Sequence, residues 1–271
     1  MTKTIKIGFI GAGNMNSAII GGLLSADYRP NQLIASDPNS DKLANLNMSL
    51  GIQVSQKNAD VASKSDVLIL GVKPNYVSQV CEEVATVAKD CLIVSVAAGI
   101  QVKQISAILG QEQPIIRVMP NTPCLIQKGA IGLYANDSVS SEQRDLVSGL
   151  FKTTGEIEWI NDESQMDLVT ALSGSGPAYF FYFAEAMIEA VIELGMSKKQ
   201  ATNLVYQTMT GSAAMLKSSD KDASELRTAV TSPGGTTAAA LSSMQEDEFK
   251  KSIRKAIEAA YLRGQELSKD N

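Results

Sequence analysis

Ile5-Lys6-Ile7-Gly8-Phe9-Ile10 is a short apolar run that stops at Gly11-Ala12-Gly13-Asn14-Met15-Asn16, and Ser17-Ala18-Ile19-Ile20-Gly21-Gly22-Leu23-Leu24 continues with helical character. A strand that feeds a glycine turn and then a helix is the phosphate-binding opening of a dinucleotide fold. Gly11 allows the tight turn, and Gly13 lets backbone N–H groups approach a pyrophosphate. The helix N-terminus behind them offers unpaired donors and a partial positive charge. Ile10, Gly11, Ala12, Gly13, Asn14 and Met15 are therefore candidate cofactor contacts. Asn16 fills the third glycine position of the fingerprint, so the reading rests on context: the turn follows a strand and opens a helix.

From this opening as far as Asp162, short apolar segments alternate with helical ones, the pattern of a parallel sheet. Leu33-Ile34-Ala35-Ser36 reads as the second strand, then a helix from Asp41 to Leu50 and a strand at Ile52-Gln53-Val54. Val67 to Val72 is continuously apolar, as a strand buried on both faces must be. Leu92 to Val96, Ile115 to Met119 and Ala130 to Tyr134 are further strands. Ser140-Ser141-Glu142-Gln143 has the form of a capping box opening a helix towards Lys152. Beyond Asp162 the β-branched runs give way to alanine-rich helical patterns. A long helix runs from Pro177 through Leu194, Ser197 to Gln200 cap another, and an amphipathic helix spans Phe249 to Leu267. The expected architecture is α/β: residues 1–162 form a Rossmann-type doubly wound sheet, and residues 163–271 an all-helical domain.

Tyr179-Phe180-Phe181-Tyr182-Phe183 puts aromatic bulk around the whole circumference of its helix. Glu185, Glu189 and Glu193 follow within a few turns, which argues against a membrane span. Burial in a helical core shared with a second subunit accounts for the run, and a thick core within a monomer is the alternative.

Composition narrows the chemistry. Among 271 residues there is no histidine, which excludes Ser-His-Asp and Cys-His catalysis and histidine-ligated metals. Cys81, Cys91 and Cys124 lack metal-type spacing and suit buried thiols in a reducing cytoplasm, so no metal site is expected. The net charge of -5, without basic clusters, argues against nucleic acid as a partner. The first strand begins so close to Met1 that no secretory leader is expected.

In a dinucleotide fold the end of the second strand meets the adenosine ribose. Ser36 and Asp37 stand there. Asp37 would favour a free 2′-hydroxyl, Ser36 and Asn39 could accommodate a 2′-phosphate, and Asp37-Pro38-Asn39 could equally be a simple turn. Three more strand ends carry small residues: Val72-Lys73-Pro74, Ala97-Ala98-Gly99 and Met119-Pro120-Asn121-Thr122-Pro123. Ligands of open α/β sheets lie outside the carboxyl ends of strands, so these turns should line the cofactor's path. The helical half adds two glycine-rich turns, Leu172 to Pro177 and Ser232-Pro233-Gly234-Gly235-Thr236-Thr237. The second offers N–H groups and two hydroxyls at a helix start, which suits a carboxylate or plain helix capping.

Taken in order, GFIGAGNM (8–15), VKP (72–74), AAG (97–99), MPNTP (119–123), ALSGSGPAY (171–179) and TSPGGTT (231–237) resemble the pyrroline-5-carboxylate reductase family over nearly the whole chain. The resemblance implies an enzyme that transfers hydride from NAD(P)H to the cyclic imine of 1-pyrroline-5-carboxylate, giving L-proline. It implies NADPH as cofactor, with NADH possible, and a homodimer, often assembled into larger rings. It places Asn58 against the cofactor, Ser232, Gly234, Gly235, Thr236 and Thr237 against the substrate carboxylate, and Glu163 near the substrate. Asn16 replaces the usual alanine, and Asp37 stands where NADPH-preferring members often carry a smaller polar residue. A protonated imine is already electrophilic, so a chain without histidine suffices; Thr237 is the candidate hydroxyl donor near the ring nitrogen. The β-hydroxyacid dehydrogenases share the two-domain plan, but their GxGxxxKxxxN pattern, aligned on Gly174 and Gly176, meets Phe180 and Ala184 instead of lysine and asparagine. A nucleotide sensor without turnover would not need the Ser232–Thr237 turn.

Overall fold

The computed structural model describes residues 4–270. Its sheet has eight strands: β1 Ile7–Ile10, β2 Leu33–Ser36, β3 Gln53–Ser55, β4 Val67–Leu70, β5 Leu92–Ser95, β6 Ile115–Met119, β7 Gly129–Ala135 and β8 Gly155–Trp159. They lie in the order β3-β2-β1-β4-β5-β6-β7-β8. All neighbours pair parallel except β6 with β7. The expected doubly wound sheet is thus present, and its order reverses between β1 and β4, the switch point at which such sheets open a crevice.

Seven helices accompany the sheet: α1 Asn14–Ser25, α2 Ser40–Leu50, α3 Asn58–Ala62, α4 Val77–Val84, α5 Val102–Leu109, α6 Ser141–Lys152 and the short α7 Met166–Val169. Alternation along the strands divides the core in two. Ile7, Phe9, Val67, Ile69, Leu92 and Val94 face one side, under Ile19 and Leu23 of α1, Leu46 of α2 and Phe151 of α6. Ile10, Leu68, Leu70 and Ile93 face the other, under Val61 of α3, Val80 and Val84 of α4 and Ile105 of α5. The helix ends follow the local chemistry: Asn39 caps α2 through its side chain, and Ser140 with Gln143 forms the expected capping box of α6. All three cysteines are free and buried, and burial pushes the Cys81 and Cys91 thiols up to about 11.

The expected strand at Ile52–Val54 lies one residue later, with Ile52 buried beneath it, and the run from Val67 leaves the sheet at Leu70, short of Val72. The edge strand β8 is additional to the sequence expectation. The Leu172–Pro177 stretch, expected as a glycine turn, is helical: Thr170–Gly174 forms a π turn, closed by the Ser175 N–H donating to the Thr170 carbonyl at 2.8 Å. A Cβ on Gly174 would press on the tip of the Met119 side chain at the end of β6.

The chain divides into two compact units, Met1–Ser175 with Ala260–Asn271, and Gly176–Ala259. The second holds α8 Gly176–Glu193, α9 Lys198–Ser218, α10 Ala223–Ala229, α11 Thr236–Glu246 and the start of α12 Phe249–Asp270. Ser197 caps α9 as expected. The aromatic run of α8 is not enclosed by its own chain: Phe180, Phe181 and Tyr182 are 65%, 67% and 74% exposed. A thick core within the protomer is therefore not what these residues form. Among the described residues no helix is long and apolar enough to cross a membrane.

The β7–β8 pairing sets Gly129 directly opposite Gly155, and a Cβ on Gly155 would overlap the Gly129 backbone. Backbone cannot yield as a side-chain tip can. Gly155→Ala should cost about 1–3 kcal/mol, read as a shift of the urea midpoint at unchanged slope.

Candidate active site

The parallel register sets Ile10, Ser36, Leu70 and Ser95 in one row, with Arg117 beside Ser95. The turns that leave β1, β2, β4, β5 and β6 thus emerge from one edge of the sheet. This edge gathers Gly11 to Gly13, Asp37, Val72-Lys73-Pro74, Ala97-Ala98-Gly99 and Asn121-Thr122. Gly11 turns at φ +97°, and a Cβ on it would press on the Gly71 backbone; Gly99 turns at φ +74°. Both positions need glycine on conformational grounds.

Gly13 is glycine for another reason. Its φ of −82° suits any residue, and a Cβ there would meet no atom within 4 Å. The space over it is open, as a pyrophosphate requires. Gly13 is also the N-cap of α1 and brings no side-chain cap, so the first-turn amides of α1 are left for a ligand. The turn fits a dinucleotide.

Asp37 is placed differently from a simple ribose reader. It is 8% exposed, and its two oxygens accept N–H bonds from Ala12 at 2.8 Å and Asn39 at 2.9 Å. The carboxylate therefore ties the glycine turn to the end of β2. Next to it, the Ser36 hydroxyl bonds to Asn58 Oδ1 at 2.7 Å, and Asn58 donates to Glu83 at 2.7 Å. Asn58, at the start of α3, thus lies beside Ser36 at the end of β2. Lys73 and Thr122 are exposed, whereas Asn121 is buried. Its amide donates to the Ser173 carbonyl at 2.9 Å and accepts from the Ala130 N–H at 3.0 Å. That side chain fixes the π turn and the start of β7, which leaves backbone and Thr122 for any ligand.

Glu163 was expected near the substrate. Its Oε1 accepts from the Arg117 guanidinium and from the Val102 N–H, each at 2.7 Å. One carboxylate joins β6, the N-terminus of α5 and the segment after β8. Sequence reasoning missed Arg117, although a lone arginine inside Ile115-Ile116-Arg117-Val118-Met119 signals a buried charge in need of a partner.

In the helical unit, Ser232 to Thr237 folds as a tight turn. The Gly235 N–H donates to the Ser232 carbonyl at 3.1 Å, and Gly234 takes φ +70°. Gly235 is the N-cap of α11, again without a side-chain cap, and Thr236 and Thr237 open the helix. Its backbone angles, φ −80° and ψ 173°, repeat those of Gly13, φ −82° and ψ 174°. Asn39, Ser140, Ser197 and Asp222 cap their helices with side chains; these two ends, like those of α3, α4 and α7, carry no such cap.

Residues 163–267 match the family described as pyrroline-5-carboxylate reductase dimerisation, and residues 6–99 that described as NADP oxidoreductase, coenzyme F420-dependent. The chain is 44% identical to pyrroline-5-carboxylate reductase of Pseudomonas aeruginosa, with 98% of each chain covered. The chain belongs to the pyrroline-5-carboxylate reductase family. A solved pyrroline-5-carboxylate reductase from Coxiella burnetii superposes with a TM-score of 0.94 at 38% identity, over 98% of this chain and 99% of that one. The Plasmodium falciparum pyrroline carboxylate reductase, solved with NADP bound, gives 0.88 at 32% identity, over 97% and 98%. The match to the dimerisation family makes this chain a homo-oligomer-forming protein, which accounts for aromatics left bare in the protomer.

Glu163→Ala would strand Arg117, which is 5% exposed, without its counter-charge. A loss of roughly 3–5 kcal/mol is expected in denaturant titration at fixed protein concentration. Glu163→Gln, which still accepts from Val102, should lose less.

Proposed function

We propose that this enzyme reduces the C=N bond of 1-pyrroline-5-carboxylate to give L-proline, with NADPH as hydride donor and NADH as an alternative. The observation that carries this reading is the pair of helix starts headed by a glycine, Gly13 before α1 and Gly235 before α11, each without a side-chain cap. A reductase of a carboxylated imine must hold two anions, a pyrophosphate and a carboxylate, and an uncapped helix N-terminus suits each. A nucleotide sensor needs only the first.

When bound, NAD(P)H supplies a hydride to the imine carbon, and the C=N electron pair moves to the ring nitrogen. The amides of Gly11 to Met15 hold the pyrophosphate. Ser36, Asp37 and Asn58 surround the adenosine ribose, with Asp37 acting through its grip on the turn. Val72 to Pro74, Ala97 to Gly99, Asn121 and Thr122 line the remaining path. Ser232, Gly234, Gly235 and Thr236 hold the substrate carboxylate, and Thr237 donates its hydroxyl towards the ring nitrogen. Glu163 supports the substrate region through Arg117. We assign cofactor binding to residues 1–162, and substrate binding and dimerisation to residues 163–271. The dimer assembles further into a ring and works in the cytoplasm.

Turnover of pyrroline-5-carboxylate with NADPH is the direct test; absence of turnover by folded, NADPH-binding protein would overturn the proposal. Thr237→Val keeps the size of the side chain and removes the hydroxyl. It should lower kcat by roughly 10²-fold while cofactor affinity holds.

The assembly is tested separately. Phe181→Glu sets a charge on an aromatic that its own chain leaves exposed, and should convert the oligomer to monomers or unfolded chains in sedimentation at micromolar concentration. Wild-type protein that is monomeric and active would defeat the assembly.

A further inference from the structure

We infer that Asn16 and Asp37 are positioning residues for cofactor binding, which together hold one peptide unit, Gly11–Ala12, from its two ends. The inference rests on the reading of Gly11 to Met15 as the pyrophosphate cradle. Asn16 Nδ2 donates to the Gly11 carbonyl at 2.7 Å, and the Ala12 N–H donates to Asp37 Oδ2 at 2.8 Å. That carbonyl and that N–H belong to the same planar peptide, so its rotation is fixed by two side chains pulling in opposite directions. The preceding peptide is fixed as well. The Ile10 carbonyl accepts from the Gly71 N–H at 2.9 Å and from Asn16 Nδ2 at 3.2 Å, and the Gly11 N–H donates to the Ser36 carbonyl at 2.7 Å.

Both side chains are out of a ligand's reach. Asn16 is 1% exposed and Asp37 8%. Asn16 lies where a Cβ on Gly71 would have to go, so a bare glycine at the end of β4 makes room for it. Its amide has only one workable orientation, because the flipped form would set Oδ1 against two carbonyls. In the workable one Oδ1 is buried and unpartnered among the described residues. An apolar residue would avoid that cost, so the gain from Asn16 lies in the two carbonyls it turns away from the cradle. If the Gly11–Ala12 peptide were free to rotate, its carbonyl could swing towards the pyrophosphate and repel it.

The experiment is fluorescence titration of the intact protein with NADPH and with NADH. The variants are Asn16→Ala, Asn16→Asp, Asp37→Asn and the double variant Asn16→Ala/Asp37→Asn, with Gly13→Val as reference. Each single variant should weaken both cofactors about tenfold. The NADPH/NADH preference should stay as in wild type. The double variant should be little worse than the poorer single, since the peptide is freed only once. Asn16→Asp is isosteric but turns an acceptor onto two carbonyls, and should be the poorest binder of the two Asn16 variants. Wild-type affinity in Asn16→Asp would mean that Asn16 only fills space. A changed NADPH/NADH preference in Asp37→Asn would mean that Asp37 reads the ribose directly. Either result overturns the inference. Unweakened binding in Gly13→Val would instead defeat the cradle itself. Hydrogen exchange of the Ala12 amide in the free wild-type protein gives a readout independent of any variant. Protection is expected, and rapid exchange refutes the clamp.

Discussion

A helix N-terminus that its own side chains leave open is the constraint around which this molecule is arranged. Backbone amides without partners are costly to bury and useful only where an anion completes them. Asn39, Ser140, Ser197 and Asp222 close four other helix starts with their side chains, while the short helices α3, α4 and α7 begin without such a cap. At Gly13 and Gly235 the chain places a residue that cannot cap. The parallel sheet then decides where the first opening lies. Because β1, β2, β4, β5 and β6 run in one direction, their carboxyl ends share one edge, and the helix that follows β1 begins there. The small residues after the other strands keep that edge clear.

Three buried or half-buried polar side chains of the first unit fix loops at this edge or near it. Asp37 holds Ala12, Asn121 holds Ser173 and Ala130, and Glu163 holds Val102 with Arg117. Each is a side chain satisfying a backbone group in a turn or at the end of an element. Such groups contribute little net stability compared with apolar packing, but an unpaired one is expensive, so they specify a single loop conformation. A site that must meet a rigid dinucleotide gains from that rigidity before any ligand arrives.

Sequence patterning gave the fold because its strongest signals are local. Continuous apolar runs at Val67 and Leu92, the capping box at Ser140 and the glycine turn at Gly11 each encode their structure within a few residues. What it did not give depends on partners far along the chain. Leu172 to Pro177 has the composition of a turn, yet its first half continues a helical turn whose Ser173 carbonyl is taken up by Asn121, far back along the chain. The β8 signal was present in the alternation of Glu156, Ile157, Glu158 and Trp159, with its glutamates on the exposed face as an edge strand prefers. Asp37 sits where the fingerprint places a ribose contact, but nothing in the spacing reveals that its oxygens are turned onto Ala12 and Asn39. Side-chain direction at a turn is set by three-dimensional neighbours, and one residue type serves either role.

The helical unit carries the argument about assembly further than the aromatic run alone. Between Gly176 and Ala259 the apolar side chains buried by the protomer are Ala184, Ala201 and Val205. The same helices leave Phe180, Phe181, Tyr182, Leu204 and Tyr206 well exposed. The match to the dimerisation family gives these faces an occupant, a second copy of the chain. The Ser232–Thr237 turn sits within that unit, so its uncapped helix start belongs to the part of the chain that association covers.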